Sequence, residues 1–143
     1  MKSFQCLRVR LDMDQATKGS VLLVEDDEQV RAFIRMLLTN NGYRVLEART
    51  GAEGWTLAER EGGAIDLLLS DMLLPELSGF DLAQKVLEKN PEMKVLFMTG
   101  YVEGDIVQRC MSDLGASFLD KPFQPNDLLN RVHEAISSTN EVA

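Results

Sequence analysis

Apolar and polar positions alternate along this chain in two periods. Four short runs are almost wholly apolar: Val21-Leu22-Leu23-Val24, Ile65 to Ser70, Lys94 to Met98, and Ala116-Ser117-Phe118-Leu119. A further segment, Tyr43 to Ala48, is half apolar and bounded by turn residues. Runs this short, with bounded ends, read as strands, and the fully apolar ones as strands buried on both faces of a parallel sheet. Between them the period changes to that of a helix. Val30, Phe33, Ile34, Leu37 and Leu38 recur at helical spacing before Asn40-Asn41-Gly42, a suitable left-handed stop. A weaker helix spans Ala52 to Arg60, with Trp55 and Ala58 inward, and Gly62-Gly63 breaks it. A third runs from about Phe80 to Lys89, with Leu82, Ala83, Val86 and Leu87 inward, and Asn90-Pro91 ends it. The fourth, Asp105 to Leu114, has a mixed pattern and stops at Gly115. The last starts at Gln124-Pro125, with proline in the first helical turn, and carries Leu128, Leu129, Val132 and Ile136 on one side.

Strict alternation of strand and helix implies right-handed crossovers and a parallel sheet covered on both faces. The expected fold is therefore α/β, a flavodoxin-like (βα)5 three-layer sandwich with strand order 2-1-3-4-5. The domain is expected to span 20–138, with 139–143 as a C-terminal tail. Residues 1–19 read differently: Phe4 to Leu11 alternates loosely, and Asp12 to Gly19 is polar and linker-like. They are expected to be an extension, a linker or the remnant of a preceding domain.

Composition narrows the function. The 143 residues fit one domain of ordinary size. A net charge of −8 argues against direct nucleic-acid binding, because a phosphate backbone demands basic surface. No apolar run is long enough for membrane insertion, and Met1 to Arg10 lacks the apolar core of a secretion signal. Cys6 and Cys110 have no close spacing and read as free thiols in a reducing compartment, so a cytoplasmic location is expected.

The chemistry gathers where the strands end. Strand 1 delivers Glu25 and Asp26, strand 3 Asp71, strand 4 Thr99 and strand 5 Lys121. Strand order 2-1-3-4-5 makes strands 1 and 3 neighbours, so three carboxylates crowd together at the edge where open α/β sheets bind ligands. Two like charges about 4 Å apart repel by roughly 4 kcal/mol at an effective dielectric near 20. Such a cluster needs a cation, and an all-oxygen set favours Mg²⁺ or Mn²⁺ over zinc. A metal, a lysine and a hydroxyl around one carboxylate form a clamp for a phosphoryl group, with Asp71 as the nucleophile. Each residue alone has an ordinary explanation: a turn aspartate, a helix-start acid, a solvated lysine, a strand-end hydroxyl. Their joint placement at consecutive strand ends is what points to chemistry.

From Ser20 to about Ser138 the chain resembles the receiver domain of bacterial two-component signalling, the phosphoacceptor module of response regulators. Leu22-Leu23-Val24-Glu25-Asp26, Asp71 with Pro75 and Gly79, Thr99-Gly100-Tyr101, and Phe118-Leu119-Asp120-Lys121-Pro122-Phe123 carry the resemblance. It implies that Asp71 accepts phosphate from a phosphohistidine on a histidine kinase or histidine phosphotransfer protein. It implies that Asp26 binds Mg²⁺ directly, Glu25 through water, and the backbone carbonyl of Leu73 directly. Thr99 and Lys121 would contact the phosphoryl oxygens, and Phe118 would be the switch aromatic that turns inward as Thr99 moves. The Lys121–Pro122 peptide would be cis. Asp27 competes with Asp26 for the metal role, but should point away as the helix begins. A downstream protein would read the face made by helix 4, strand 5 and helix 5. Monomer and phosphorylation-dependent dimer both remain open. The chain is expected to catalyse its own phosphorylation and slow dephosphorylation, with no separate small-molecule turnover.

Two other classes share parts of this pattern. Phosphatases resembling haloacid dehalogenases also form an aspartyl phosphate, but carry a second aspartate two positions on, where this chain has Leu73. A docking module that is never phosphorylated is the other alternative. His133, the sole histidine, lies on the last helix outside any kinase-like phosphorylation box and is expected to be structural or at the surface. With no output domain apparent, a single-domain regulator and the receiver of a hybrid kinase both fit; the stretch Val95 to Tyr101 has the look of the latter.

Overall fold

The computed structural model describes residues 17–100 and 104–137. The Phe4-to-Leu11 segment, Cys6, Tyr101 and the 139–143 tail lie outside the described residues. The elements run β1 Gly19–Val24, α1 Glu28–Asn40, β2 Tyr43–Ala48, α2 Gly51–Glu61, a 3-10 turn Gly62–Ala64, β3 Leu67–Asp71, α3 Gly79–Lys89, β4 Lys94–Thr99, α4 Gly104–Leu114, β5 Ser117–Asp120 and α5 Pro125–Ser137. The strands form one parallel sheet in the order β2-β1-β3-β4-β5. This is the doubly wound fold that the alternating periods predict.

Two apolar layers sandwich the sheet. Leu22, Val24, Leu68 and Phe97 face α2, α3 and α4 and pack with Ala58, Leu82, Val86 and Cys110. Val21, Leu23, Leu67, Leu69, Leu96 and Met98 face α1 and α5 and pack with Ile34, Leu38, Leu128 and Val132. The period-two alternation along each strand assigns the side. Every residue of Val21–Val24 and Leu67–Leu69 is fully buried, which is why these runs carry no polar residue.

Side-chain caps fix where three helices start. Asp27 accepts from the Gln29 and Val30 amides, Thr50 from Glu53, and Ser78 from Asp81. Glu53 reaches back to the Arg49 N–H, completing a near capping box with Thr50.

Some expected details shift. The third strand pairs over Leu67–Asp71 rather than Ile65 to Ser70. Just before it, the Asp66 N–H donates to the Ser20 carbonyl, the Asp66 carbonyl accepts from the Lys94 N–H, and the Asp66 side chain accepts from the Ser20 N–H. The strand's end extends because Asp71 still pairs with Met98. Phe33 is 45% exposed rather than part of the buried stripe of α1. The mixed pattern of α4 has a simple cause: Cys110 is its only buried residue, so only one position per few turns had to be apolar. No helix among the described residues is long and apolar enough to cross a membrane.

The chain packs most tightly where α3 returns to the sheet. A Cβ on Gly79 would lie 2.3 Å from the Asp71 carbonyl oxygen and 3.1 Å from the Met72 Cα. Both neighbours are backbone and cannot turn away. Gly79→Ala is therefore expected to destabilise the fold by about 2 kcal/mol or more, whereas Gly63→Ala, where nothing lies within 4 Å, is expected to be near neutral. Urea unfolding of the two variants measures the contrast.

Candidate phosphoacceptor site

The register dictates the site. β1 and β3 run parallel with Val24 opposite Ser70, so the next step along each strand sets Glu25 beside Asp71. Asp26 follows at the first turn out of the sheet. Glu25, Asp26 and Asp71 each place a carboxylate oxygen so that all lie within 4.8 Å of one another. Their surroundings differ. Glu25 is 1% exposed, Asp71 partly buried and Asp26 open to solvent.

Lys121 crosses to this cluster from β5. Its backbone N–H continues the sheet, donating to the Thr99 carbonyl at 2.8 Å. Its Nζ donates to Asp71 Oδ2 at 3.0 Å and to Glu25 Oε1 at 3.2 Å. The Lys121–Pro122 peptide bond is cis. The remaining carboxylate oxygens take backbone donors: Asp27 N–H to Glu25 Oε2 at 3.0 Å, and Leu73 N–H to Asp71 Oδ1 at 3.2 Å. Asp27 itself is spent on capping α1. Thr99 is 6% exposed, and its Oγ1 has no hydrogen-bond partner among the described residues. An orphaned buried hydroxyl is costly, and this one sits at the strand end next to Lys121. Phe118 is half-buried against Phe97, ring centroids 5.7 Å apart, and Arg131 donates to its carbonyl. The Leu73 side chain is 76% exposed. His133 is exposed on α5.

The charges do not balance locally. Burial pushes the Glu25 carboxyl above its ordinary range; the Asp27 N–H pulls it back, the Asp71 charge pushes it up, and Lys121 pulls it down. The net shift is upward. Burial alone would lower the Lys121 ammonium, but the hydrogen bond and charge of Asp71, then those of Glu25, outweigh it and raise it. Lys121 thus pairs with two of the three clustered carboxylates, Asp26 adds a third negative charge, and the set fits a small divalent cation. The donors are hard oxygens, as Mg²⁺ and Mn²⁺ prefer.

Sequence reasoning named Glu25 as an acid near the metal but missed its ion pair with Lys121. The strand register is the signal that could have found it. It also missed Arg31, which donates to the Glu25 carbonyl at 2.9 Å from the first turns of α1. Beside Lys121 opens a groove of about 510 Å³, lined by Gln29, Val30, Phe33, Pro122 and Phe123; the exposed Phe33 belongs to it.

The comparisons agree with this architecture. Residues 21–133 match the model of the response regulator receiver domain. The chain is 32% identical over 116 residues to the response regulator receiver protein CpdR of Brucella abortus (strain 2308), a match covering 81% of this chain and 95% of that protein. It is 33% identical over 129 residues to the sensor kinase CckA of the same organism, covering 90% of this chain but only 14% of the kinase. Among solved structures, the non-phosphorylated HemR receiver domain from Leptospira biflexa superposes with a TM-score of 0.78 at 35% identity, covering 88% of this chain and 100% of that one. The chain belongs to the response regulator receiver domain family of two-component signalling.

The upward shift of the Glu25 carboxyl makes stability depend on pH. The folded state holds that proton more tightly than the unfolded chain. Stability therefore falls as pH rises from the ordinary glutamate value of 4.5 through the raised folded value. The Lys121 contribution runs on a different window: it is fully present below the ordinary lysine value of 10.5 and lost as pH climbs through the raised folded one. In chelator near pH 7, Glu25→Gln is expected to stabilise the protein by about 1 kcal/mol, because it removes a buried charge in excess of its partner. That corresponds to a rise in Tm of about 3 °C. The gain is expected to vanish near pH 4, where Glu25 is already neutral. Thermal unfolding at the two pH values checks both.

Proposed function

We propose that this receiver domain takes a phosphoryl group from a phosphohistidine onto Asp71 in a Mg²⁺-dependent reaction and thereby switches the surface it offers a partner. The observation that carries the reading is the Asp71 carboxylate at the sheet edge, clustered with Glu25 and Asp26 and bonded to Lys121. Asp26 and Asp71, with the Leu73 carbonyl, would hold Mg²⁺ (or Mn²⁺) directly, and Glu25 through water. The bound cation supplies charge neutralisation for the phosphoryl oxygens.

The rest falls to the protein. An Asp71 carboxylate oxygen forms the new O–P bond in line as the donor's N–P bond breaks. The electron pair departs with the imidazole nitrogen, which takes up a proton. Lys121 exchanges a carboxylate oxygen for a phosphoryl oxygen, keeping an anionic partner throughout. The unpartnered Thr99 hydroxyl gains an acceptor once a phosphoryl oxygen is present. That gain is the differential contact a population shift requires. Phe118, half-buried beside Phe97, would follow into the space that Thr99 vacates.

The partners are read from chemistry and position. The donor is a histidine kinase or a histidine phosphotransfer protein, in the cytoplasm. The face of α4, β5 and α5 would meet a downstream protein; Ile106 and Met111 on α4 are 43% and 53% exposed, apolar side chains that a partner could cover. The similarity to a protein of receiver length and to part of a sensor kinase leaves both a single-domain regulator and a hybrid-kinase receiver consistent with the chain.

Intact-mass analysis after incubation with Mg²⁺ and acetyl phosphate tests the reading. One phosphoryl group is expected on the wild type and none on Asp71→Asn. An unlabelled wild type beside a labelled control receiver would favour a docking module. Label on both proteins would mean another acceptor. The exposed Leu73 side chain beside Asp71 is expected to slow water's approach to the acyl phosphate, so Leu73→Asn should shorten the half-life several-fold; equal half-lives would contradict this.

A further inference from the structure

We propose that Arg31 is a positioning residue for the cation pocket: its guanidinium fixes the Glu25–Asp26 peptide and so aims the Asp26 carboxylate. This rests on the reading of Glu25, Asp26 and Asp71 as a cation site.

The need arises where the sheet stops. Glu25 is the first residue past β1, and its N–H still donates to Ala48, the last residue of β2. β2 itself ends at Ala48, so no further residue of that strand follows to serve the Glu25 carbonyl. Arg31 supplies the donor instead, at 2.9 Å. The arginine is itself held. Its backbone N–H donates to the Asp27 carbonyl in α1, its side chain is only 12% exposed, and its Nε meets Glu47 Oε1 at 3.3 Å. Glu47 is in turn gripped by Arg35 at 3.0 Å. The brace therefore runs from β2 through Glu47 and Arg31 to the Glu25 carbonyl.

One peptide plane links that carbonyl to Asp26. With the Glu25 N–H, carbonyl and side chain all bonded, and Asp27 tied down as the cap, the backbone on both sides of Asp26 is held. Groups that orient metal ligands without touching the metal commonly contribute about tenfold or more to affinity.

Charge and positioning predict opposite signs, which makes the idea testable. Arg31 is a cation near a cation site, so its charge alone weakens Mg²⁺ binding, and removing it should tighten binding. Positioning predicts weaker binding on removal. Titration calorimetry with Mg²⁺ on the wild type, Arg31→Met, Arg31→Lys and Arg35→Met separates them. Methionine keeps an apolar stem without a donor; lysine keeps the charge but not the fork that serves Glu25 and Glu47 together. The expected result is affinity about tenfold weaker for Arg31→Met, several-fold weaker for Arg31→Lys, and within about twofold of wild type for Arg35→Met. Half-saturating Mg²⁺ for Asp71 labelling should rise by the same factor, with full labelling restored at high Mg²⁺. Thermal unfolding identifies any variant that fails to fold, and Arg31→Lys then carries the comparison. Unchanged or tighter Mg²⁺ binding in the folded Arg31 variants would overturn the proposal while leaving the site intact. A wild type that takes up no Mg²⁺ would overturn the cation site and this proposal with it.

Discussion

The structure turns on an electrostatic imbalance at one edge of the sheet. Parallel pairing of β1 with β3 sets Glu25 beside Asp71, and Asp26 joins them within 4.8 Å. The Lys121 ammonium pairs with two of them, Glu25 and Asp71. A fold does not tolerate this crowding for its own stability: Glu25 is almost completely buried, and burial pushes its carboxyl toward the neutral form. The crowding fits a site for a small divalent cation, whose charge would offset the excess of carboxylates.

The surrounding architecture serves to hold that imbalance in place. Two apolar layers fix the register of strands whose ends carry the charges. Gly79 lets α3 return against the Asp71 carbonyl at a distance that admits no side chain. Capping by Asp27 starts α1 immediately after the acidic pair, which brings Arg31 back over the Glu25 carbonyl. The buried Thr99 hydroxyl, unpartnered among the described residues, sits at the neighbouring strand end. In the proposed function, a phosphoryl oxygen would give it an acceptor.

Much of this was legible in the chain because parallel sheets leave a strong signature. Val21 to Val24 and Leu67 to Leu69 are buried on both sides, so selection for burial leaves no polar residue to blur them. The acidic pair and Lys121 stand out because they interrupt such runs. What escaped reading depends on three-dimensional closeness. The Lys121–Glu25 pair spans 96 positions of sequence, and only the register reveals it. Arg31 looks like any polar residue on an amphipathic helix until the Glu25 carbonyl appears beneath it. Phe33 keeps helical spacing yet stays exposed, because the apolar period describes a stripe wider than the buried one. On α4 one buried cysteine leaves a mixed pattern, and its limits were read from Gly115 rather than from an apolar stripe.

The central claim is that the three carboxylates form one cation site. Paramagnetic broadening by Mn²⁺ in amide NMR spectra tests it most directly, because broadening falls off steeply with distance from the ion. The account predicts broadening centred on Glu25, Asp26, Asp71 and Leu73 at low Mn²⁺, reversed by excess Mg²⁺ and lost in Asp26→Asn. Broadening spread over the acidic surface of this protein, with net charge −8, or centred away from the sheet edge, would contradict it.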